Sequence, residues 1–254
     1  MKQESEGIFA RGNLEFKIIN NVGVLNLKNN IFEMITDLAE SAEFFGLLER
    51  SKSNKDIHAL MIINESGCLN TKKYSEFLNM VIDKDTQNGF NLLSGVARTR
   101  QIVNLNNFIR RAAEFDKLIF IALQGEVVTP FLGASLAADY RFAAEDVNFS
   151  LCHMKMGIHP AGALPYFLPK YLGQAKASEI LFSGNNVNAE EALSLGLVNK
   201  VYPVQNFEQK CIAEINKIVE GNVNVLKCTK RLLKFSTKDL EEYISIEECN
   251  YIRT

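Results

Sequence analysis

Residues 118–123, Leu-Ile-Phe-Ile-Ala-Leu, form an uninterrupted apolar run of the kind that makes a strand buried on both faces. Gly125 breaks this run, and residues 131–140 continue as an apolar segment that favours a helix. Residues 147–150, Val-Asn-Phe-Ser, return to a strand pattern. A strand, a turn, a helix and a second strand in this order predict an α/β fold.

The remaining periodicity adds helices and strands on both sides of this unit. Residues 14–19 and 24–27 alternate apolar and polar side chains about Asn20-Asn21, which predicts a β-hairpin. Further along, the pattern predicts a helix at 31–48, a strand at 58–64, an interrupted helical stretch at 74–113 with a connection at 83–89, a firm helix at 106–115, and helices at 175–182, 189–196, 207–219 and 223–235.

Length and charge exclude several functional classes. The chain has 254 residues, of which 47% are hydrophobic and 23% are charged, enough to bury the core of a domain. The formal charge is −2 and basic residues are dispersed among acidic ones, so the sequence has no stripe that could neutralise nucleic-acid phosphates. No apolar window has the length of a signal peptide or of a membrane span. We expect a cytoplasmic protein that binds neither nucleic acid nor membrane.

Cysteine and histidine spacing disfavours a metal site. The five cysteines form no Cys-x-x-Cys pair and are widely scattered, which indicates reduced thiols. His153 and His159 have no accompanying cluster of carboxylates or cysteines. We therefore expect no metal.

A series of short motifs occupies the stretch from Ala122 to Pro203. They are Ala-Leu-Gln-Gly at 122–125, Asp-Tyr-Arg-Phe-Ala at 139–143, Gly-Ile-His-Pro-Ala-Gly at 157–162, Leu-Pro-Lys-Tyr-Leu-Gly at 168–173, Ala-Ser-Glu-Ile-Leu-Phe-Ser-Gly at 177–184 and Ala-Glu-Glu-Ala-Leu-Ser-Leu-Gly-Leu-Val-Asn at 189–199. In order and spacing the series resembles the crotonase (enoyl-CoA hydratase/isomerase) superfamily. The N-terminal third resembles that family only in the order of its elements.

This resemblance implies a crotonase-like spiral of ββα units at residues 1–200 and a short helical trimerisation or cover region at 201–254, where many relatives continue with another helix. It also implies trimers or dimers of trimers that bind an acyl-CoA or an acyl-carrier thioester as ligand, without a further cofactor. In the family two backbone N–H groups hold the thioester oxygen, one from a loop after an early strand and one from the start of the helix after a glycine-rich turn. The side chains around the thioester then determine which reaction takes place.

The glutamates of the family's hydratases are missing here. Gapless counting between the motifs puts Gly133 at the position of the first glutamate and His153 at that of the second. Hydration needs a base to activate water and an acid to protonate carbon, and glycine supplies neither, so ordinary hydratase activity is disfavoured. His153 is a candidate acid or base, and a histidine held by hydrogen bonds in a tightened pocket is an equal alternative.

The implied anion hole is also altered. The family's glycine turn is Thr129-Pro130-Phe131 here, and Pro130 has no N–H to donate. Thr129 and Pro130 still favour the start of a helix, which leaves Phe131 or Leu132 as substitute donors. The resemblance therefore implies an anion hole that is displaced or lost.

The loop of the first donor departs from the family pattern as well. Position counting assigns the donor N–H to Leu69 or Asn70. Lys72, Lys73 and Tyr74 follow and could face the thioester or a CoA phosphate, although a solvated charge pair before a helix is the commoner arrangement.

Two hypotheses follow for function. The first is an enzyme that decarboxylates or isomerises a thioester without paired glutamates. Residues 154–163 resemble the corresponding segment of decarboxylases that act on carrier-bound glutaconyl groups. Those enzymes use a loop lysine and a C-terminal histidine, and this chain lacks the C-terminal histidine. The second is a catalytically silent protein that binds acyl-CoA or a partner subunit in regulation or assembly. Glu126 is expected to point away from the pocket, Asp139 to be structural, and Tyr166 and Lys170 to line the pocket or a helix face.

Overall fold

The computed structural model describes residues 6–81 and 95–253. Its strands are β1 (Glu6–Arg11), β2 (Leu14–Ile19), β3 (Val22–Leu27), β4 (Ala59–Asn64), β5 (Leu118–Leu123), β6 (Glu126–Val128), β7 (Tyr140–Ala144), β8 (Asn148–Ser150), β9 (Val187–Asn188) and β10 (Lys200–Tyr202). Its helices are α1 (Ile31–Thr36), α2 (Leu38–Ser53), α3 (Thr71–Val81), α4 (Gly95–Glu114), α5 (Thr129–Ser135), α6 (His153–Met156), α7 (Leu164–Ser183), α8 (Ala189–Ser194), α9 (Phe207–Val219), α10 (Val223–Leu233), a 3-10 helix (Lys234–Thr237) and α11 (Leu240–Arg253).

The strands form two sheets. The larger has the order β1-β2-β3-β4-β5-β7-β10, antiparallel from β1 to β3 and parallel from β3 to β10. The smaller has the order β6-β8-β9. A long strand in the first sheet, a short strand in the second and a helix follow one another along the chain, as in β5-β6-α5 and β7-β8-α6. This arrangement confirms the predicted α/β spiral of ββα units with a helical C-terminal region.

The large sheet is buried on both faces, which explains its continuous apolar strands. All six residues of β4 are buried. On one face the core includes side chains of α1, α2, α4, α5 and α7. The other face is covered by α9, whose buried side chains recur at helical spacing.

The predicted hairpin is confirmed, with Ile19 paired to Val22 and Leu14 paired to Leu27. Asn20 and Asn21 have φ values of 48° and 63°. Both lie in the left-handed region that a two-residue hairpin turn requires and that asparagine tolerates.

The prediction of one helix at 31–48 is wrong, because the chain breaks between α1 and α2 at Asp37. The Asp37 carboxylate accepts hydrogen bonds from the N–H groups of Ala39 at 2.9 Å and Glu40 at 2.8 Å, so it caps a second helix. The predicted connection at 83–89 lies outside the described residues.

The predicted helix at 131–140 ends at Ser135, and the apolar residues after Asp139 enter β7. Asp139 fixes this change, because its carboxylate accepts from the N–H of Ile119 at 2.7 Å and its own N–H donates to Ile119 at 3.0 Å. These two bonds start β7 beside β5. Across the residues that the structure describes, no helix combines the length and the apolar character needed to cross a membrane.

Candidate functional site

An apolar pocket with a cavity volume of about 80 Å³ lies between strands β4 and β5 and helices α1, α2, α4 and α5. It is lined by Leu27, Ile31, Met34, Ile35, Ser41, Phe44, Phe45, Ile62, Asn64, Leu69, Asn104, Leu105, Phe108, Ile121, Ala122, Leu123, Phe131, Ala134 and Ser135. No side chain in this set is titratable. The part of the lining that the structure describes therefore offers surface to a hydrocarbon chain and no acid or base to act on it.

The polar side chains of the lining are all engaged with backbone carbonyl oxygens. Asn64 donates to two carbonyls at 2.9 Å, Asn104 to one at 2.6 Å, Ser135 to one at 2.6 Å and Ser41 to one at 3.3 Å. Their hydrogen-bonding capacity is thus largely spent inside the protein, which leaves the pocket wall apolar.

The loop predicted to carry the first donor lies at one end of this pocket. Leu69 lines the pocket, and its carbonyl oxygen accepts from the N–H of Val128 at 3.1 Å. That hydrogen bond holds the loop against the residue that precedes α5. Asn70 lies beside it and uses its side chain to cap α3, because its Oδ1 accepts from the N–H of Lys73 at 2.9 Å.

The second predicted donor lies at the start of α5, where Thr129 and Pro130 are the first two helical residues. Phe131 is the third, so its N–H is one of those that an α-helix leaves without an internal partner. Phe131 also lines the pocket, together with Leu69. The structure therefore brings both predicted donor segments to one pocket.

Gly133 occupies a position where no side chain fits. A Cβ atom there would lie 2.4 Å from the carbonyl oxygen of Gly162 and 2.9 Å from that of Ala161. In turn, a Cβ at Gly162, which has a φ of 73°, would lie 2.1 Å from the carbonyl oxygen of Pro130. The backbone of residues 161–162 thus fills the space into which a glutamate at 133 would project.

His153 is enclosed, with 1% of its surface exposed, and it is not among the pocket-lining residues. Its Nε2 lies 2.9 Å from the carbonyl oxygen of Leu181 and its Nδ1 lies 3.3 Å from the hydroxyl of Thr129. Burial lowers the pKa of His153, which favours the neutral ring. The geometry therefore matches the hydrogen-bonded alternative considered above.

Lys72, Lys73 and Tyr74, which follow the predicted donor loop, lie in three different environments. Lys72 is exposed, and the Lys73 ammonium donates to the carbonyl oxygen of Asn29. Tyr74 is fully buried, and its ring stacks on Phe32 with centroids 5.1 Å apart. Tyr74 therefore belongs to the core rather than to the pocket surface.

Neither acidic residue near the glycine turn lies on the pocket. Glu126 binds the start of α3 through the N–H of Thr71 at 3.2 Å and the Thr71 hydroxyl. Asp139 binds the N–H of Ile119 and, at 2.6 Å, the ammonium of Lys230. Both carboxylates join elements of the fold, as expected from the sequence.

Tyr166 and Lys170 lie on α7, away from the pocket lining. The Tyr166 hydroxyl donates to Asp239 at 2.6 Å, and the Lys170 ammonium lies 4.4 Å from the centre of the Tyr166 ring. His159 is half-buried, and its Nδ1 lies 3.2 Å from the carbonyl oxygen of Pro160.

Buried thiols near the site are poor nucleophiles. Burial raises the pKa of Cys68 to about 12 and also raises that of Cys152. A thiol that stays protonated at neutral pH does not attack a thioester.

Glu247 on α11 is a buried titratable residue that the sequence analysis did not single out. Both of its carboxylate oxygens lie 3.2 Å from the backbone nitrogen of Ala163, directly after the segment packed on Gly133. Burial raises the pKa of Glu247 to about 7. A signal was present in the sequence: Leu240, Ile244 and Glu247 share one face of a helix, so the pattern places a carboxylate on an apolar stripe.

Comparisons with known proteins agree with this architecture. A family model for enoyl-CoA hydratase/isomerase matches residues 94–254. The enoyl-CoA hydratase of Bacillus halodurans superposes with a TM-score of 0.75 at 21% identity, covering 94% of this chain and 92% of that one, which shows a shared fold.

Two curated relatives are similar in sequence. Chromodomain Y-like protein 2 of Mus musculus is 31% identical over 153 residues, which cover 59% of this chain and 30% of that protein. Enoyl-CoA delta isomerase 2 of Rattus norvegicus is 26% identical over 161 residues, which cover 62% of this chain and 40% of that protein. The matched part is thus less than half of either relative. Because the family model covers more than half of this chain and the fold agrees with it, the chain belongs to the enoyl-CoA hydratase/isomerase family.

Proposed function

We propose that this protein binds the acyl group of an acyl-CoA or acyl-carrier thioester in the apolar pocket and does not hydrate it. The observation that carries the proposal is the junction of Leu69 and Phe131 at a pocket whose lining has no titratable side chain. A thioester carbonyl can lie where the two donor segments meet, with its hydrocarbon chain among apolar side chains. Gly133 supplies no carboxylate, so water is not activated.

The binding site is tested by titration calorimetry with acetyl-CoA, crotonyl-CoA and glutaconyl-CoA, followed by mass spectrometry of the same mixtures. Wild type is expected to bind crotonyl-CoA and return it unhydrated. Ala134→Leu fills the pocket from α5 and is expected to weaken binding at least about tenfold, since an occupied pocket excludes the acyl chain. Ala42→Leu on the exposed face of α2 is the matched control and should bind like wild type.

Two results would contradict the proposal. Accumulation of the hydrated product with wild type would show that water is activated despite Gly133. Equal binding by Ala134→Leu and Ala42→Leu would mean that the thioester, if bound, does not use this pocket.

A second candidate is isomerisation or decarboxylation of the bound thioester. It is favoured by the similarity to a protein named enoyl-CoA delta isomerase 2 and by the place of Phe131 in the pocket lining at the start of α5, since both reactions need the carbonyl polarised and neither needs an added water. In this candidate the acid or base comes from outside the described pocket lining, and His153 is the residue that the sequence analysis names for it. The same mass-spectrometric assay distinguishes it: a rearranged or decarboxylated product that disappears in His153→Gln supports it, and binding without product supports the silent protein.

For assembly, we propose a homotrimer or a hexamer in the cytoplasm. The support is a group of exposed apolar side chains near the end of α10: Leu232 is 78% exposed, Leu233 69% and Phe235 73%. Apolar surface of this kind is commonly covered by a partner.

Analytical ultracentrifugation should give an assembly mass that is a multiple of three of the 28.6 kDa chain mass. Leu232→Glu should shift the mass towards that of the monomer. A wild-type monomer would contradict the proposal.

A further inference from the structure

A second cavity lies at the opposite end of β5 from the apolar pocket, between the large sheet and the C-terminal helices. Its volume is about 650 Å³. This falls in the range of about 300 to 1,000 Å³ that is usual for small-molecule sites. The apolar pocket reaches β5 at residues 121–123, where the strand ends, whereas the second cavity reaches it at Leu118, where the strand begins. The two linings have no residue in common.

Apolar side chains from α7, α10 and α11 line this second cavity. Phe167 of α7 and Leu240 at the start of α11 are buried there, and Leu226 comes from α10. Leu233 lines the cavity as well, and it is one of the exposed residues proposed above for assembly. A wall of this kind suits a hydrocarbon chain.

Positive charges outnumber negative charges in the same lining. Its charged side chains are Lys170, Lys230, Lys234 and Asp139. The Lys230 ammonium is paired with Asp139 at 2.6 Å. The Lys170 ammonium lies 3.6 Å from Asp239, which is outside the lining. Two of the three cations therefore have a counterion nearby.

Lys234 is the third cation. Across the part of the chain that the structure describes, its ammonium has neither a hydrogen bond nor an ion pair. Lys234 is half-buried, and burial together with the charge of Lys230 lowers the pKa of its ammonium. The charges of Asp139 and Glu114 act in the opposite direction without cancelling this shift. A bound anion at this position would stabilise the charged form of Lys234.

Lys230 also has a donor to spare. An ammonium group has three N–H donors. Those of Lys230 meet the Asp139 carboxylate at 2.6 Å and the carbonyl oxygen of Lys117 at 2.8 Å, and no other acceptor among the described residues engages the group. The lining thus offers donors from two ammonium groups, and a carboxylate has two oxygens to accept from them.

We propose that this second cavity binds an organic carboxylate with a hydrocarbon tail, such as a free fatty acid, with the carboxylate at Lys234 and Lys230 and the tail along Phe167 and Leu240. The site is separate from the apolar pocket. It therefore does not depend on the thioester binding proposed above, and each can fail without the other.

Isothermal titration of the wild-type chain with decanoate below its micelle-forming concentration tests this site, using the protein in the oligomeric state in which it is purified. Decanoate should bind saturably, with one site per chain. Decanol has the tail without the charge, and acetate has the charge without the tail. Both should bind at least about tenfold more weakly than decanoate, because each lacks one of the two features that the cavity recognises.

Lys234→Gln should weaken decanoate binding at least about tenfold, because it removes the cation that has no counterion. Lys238→Gln is the matched control: it removes the same charge from an exposed lysine outside the lining and should bind decanoate like wild type. Ala134→Leu fills the apolar pocket and should also bind decanoate like wild type. If Ala134→Leu fails to fold, Thr229→Glu replaces it, since a negative charge at this exposed position of the lining should weaken binding of decanoate and not of decanol.

Four results would overturn the second site. The first is the absence of saturable decanoate binding, and the second is binding of decanol as tight as that of decanoate. The third is an equal loss of affinity in Lys234→Gln and Lys238→Gln. The fourth is decanoate binding that is lost in Ala134→Leu and retained in Lys234→Gln, which would assign the ligand to the apolar pocket.

Discussion

Gly133 and Gly162 determine what the site can contain, because a Cβ at 133 would meet the backbone of residues 161–162, and a Cβ at 162 would meet the backbone of Pro130 and Ala134. The carbonyl oxygen of Gly162 takes the space of a Cβ at 133, and the carbonyl oxygen of Pro130 takes the space of a Cβ at 162. The absent carboxylate is therefore a packing feature as well as a chemical one. Restoring the side chain alone cannot restore hydratase chemistry.

Gly133→Ala should lower the free energy of unfolding by about 1 to 3 kcal/mol, the usual range for overpacking a filled interior. Its Cβ would meet backbone oxygens, which cannot rotate away. Urea unfolding measures the change. Gly46→Ala, in the interior of α2, is the control: its Cβ would meet only the end of the Arg50 side chain at 3.3 Å, so it should be neutral or stabilising. Equal stability of the two variants would contradict the close approach seen at Gly133.

His153 gives the protein a stability component that depends on pH. Burial holds its folded-state pKa below the usual 6.5, so the folded state binds fewer protons than the unfolded state and stability is lost as pH falls below 6.5. The loss is at most about 1.4 kcal/mol per pH unit. Glu247 acts in the opposite sense, since its raised pKa makes the folded state less stable as pH rises from 4.5 to about 7.

His153→Gln should remove the acid-side component, because a glutamine can donate to the carbonyl of Leu181 without titrating. Relative to its value at pH 7, the unfolding free energy at pH 5 should then be higher than in wild type. His58→Gln, at a half-buried position before β4, is the control and should retain the wild-type difference. An unchanged difference in His153→Gln would argue against the neutral, buried ring.

At the level of elements, the sequence predicts best where local pattern and tertiary burial agree. The hairpin at Asn20-Asn21, strand β5 and helix α9 follow their patterns, because turn preference or periodicity there coincides with the final packing. The break at Asp37 is missed because apolar spacing continues through it. A cap depends on one side chain finding two N–H groups, which periodicity does not record.

Asp37→Ala should cost about 1 kcal/mol of stability by removing the acceptor for the N–H groups of Ala39 and Glu40. Thermal unfolding followed by circular dichroism measures it. Glu33→Ala, an exposed acidic position on α1, provides the comparison and should have little effect. If both variants unfold at the same temperature as wild type, the stability of α2 does not depend on this cap.

For the candidate site, the motif positions picked out two segments that the structure brings to one pocket, but they did not predict the contacts of the side chains nearby. Leu69 and Phe131 meet at one pocket as their motif positions imply. Tyr74 was expected near the ligand and lies in the core, since its helical face depends on how α3 packs on Phe32. The Glu247 carboxylate accepts from the N–H of Ala163, which lies 84 positions away along the chain, and no local sequence pattern contains such a contact.

At the scale of the whole molecule, an ion pair with a buried lysine joins the C-terminal helix α10 to the sheet. The Lys230 ammonium on α10 is 2.6 Å from Asp139 and 2.8 Å from the carbonyl oxygen of Lys117, and Lys230 is only 6% exposed. The same Asp139 oxygen accepts from the N–H that begins β5 pairing. One carboxylate thus joins both the sheet and the C-terminal region.

Lys230→Met should destabilise the chain by about 1 to 3 kcal/mol, since it leaves the half-buried Asp139 charge without its partner. The double variant Lys230→Met, Asp139→Asn should recover part of that loss, because the unpaired charge is removed with it. Urea unfolding of both variants measures the effect. Arg231→Met, on the exposed side of α10, should change stability by less than about 0.5 kcal/mol; a comparable loss there would show that the effect is not specific to the pair.

The interlocked glycines also constrain the path by which sequences of this kind can change. Any single-codon step that adds a side chain at 133 collides with the 161–162 backbone before it can contribute chemistry, and a step at 162 collides with Pro130. The surrounding segment has to move first, and such a move has no catalytic advantage while the carboxylate is still absent. Acquisition of a side chain at 133 is therefore a two-step change in which the order of the steps is fixed, because the backbone at 161–162 has to move first.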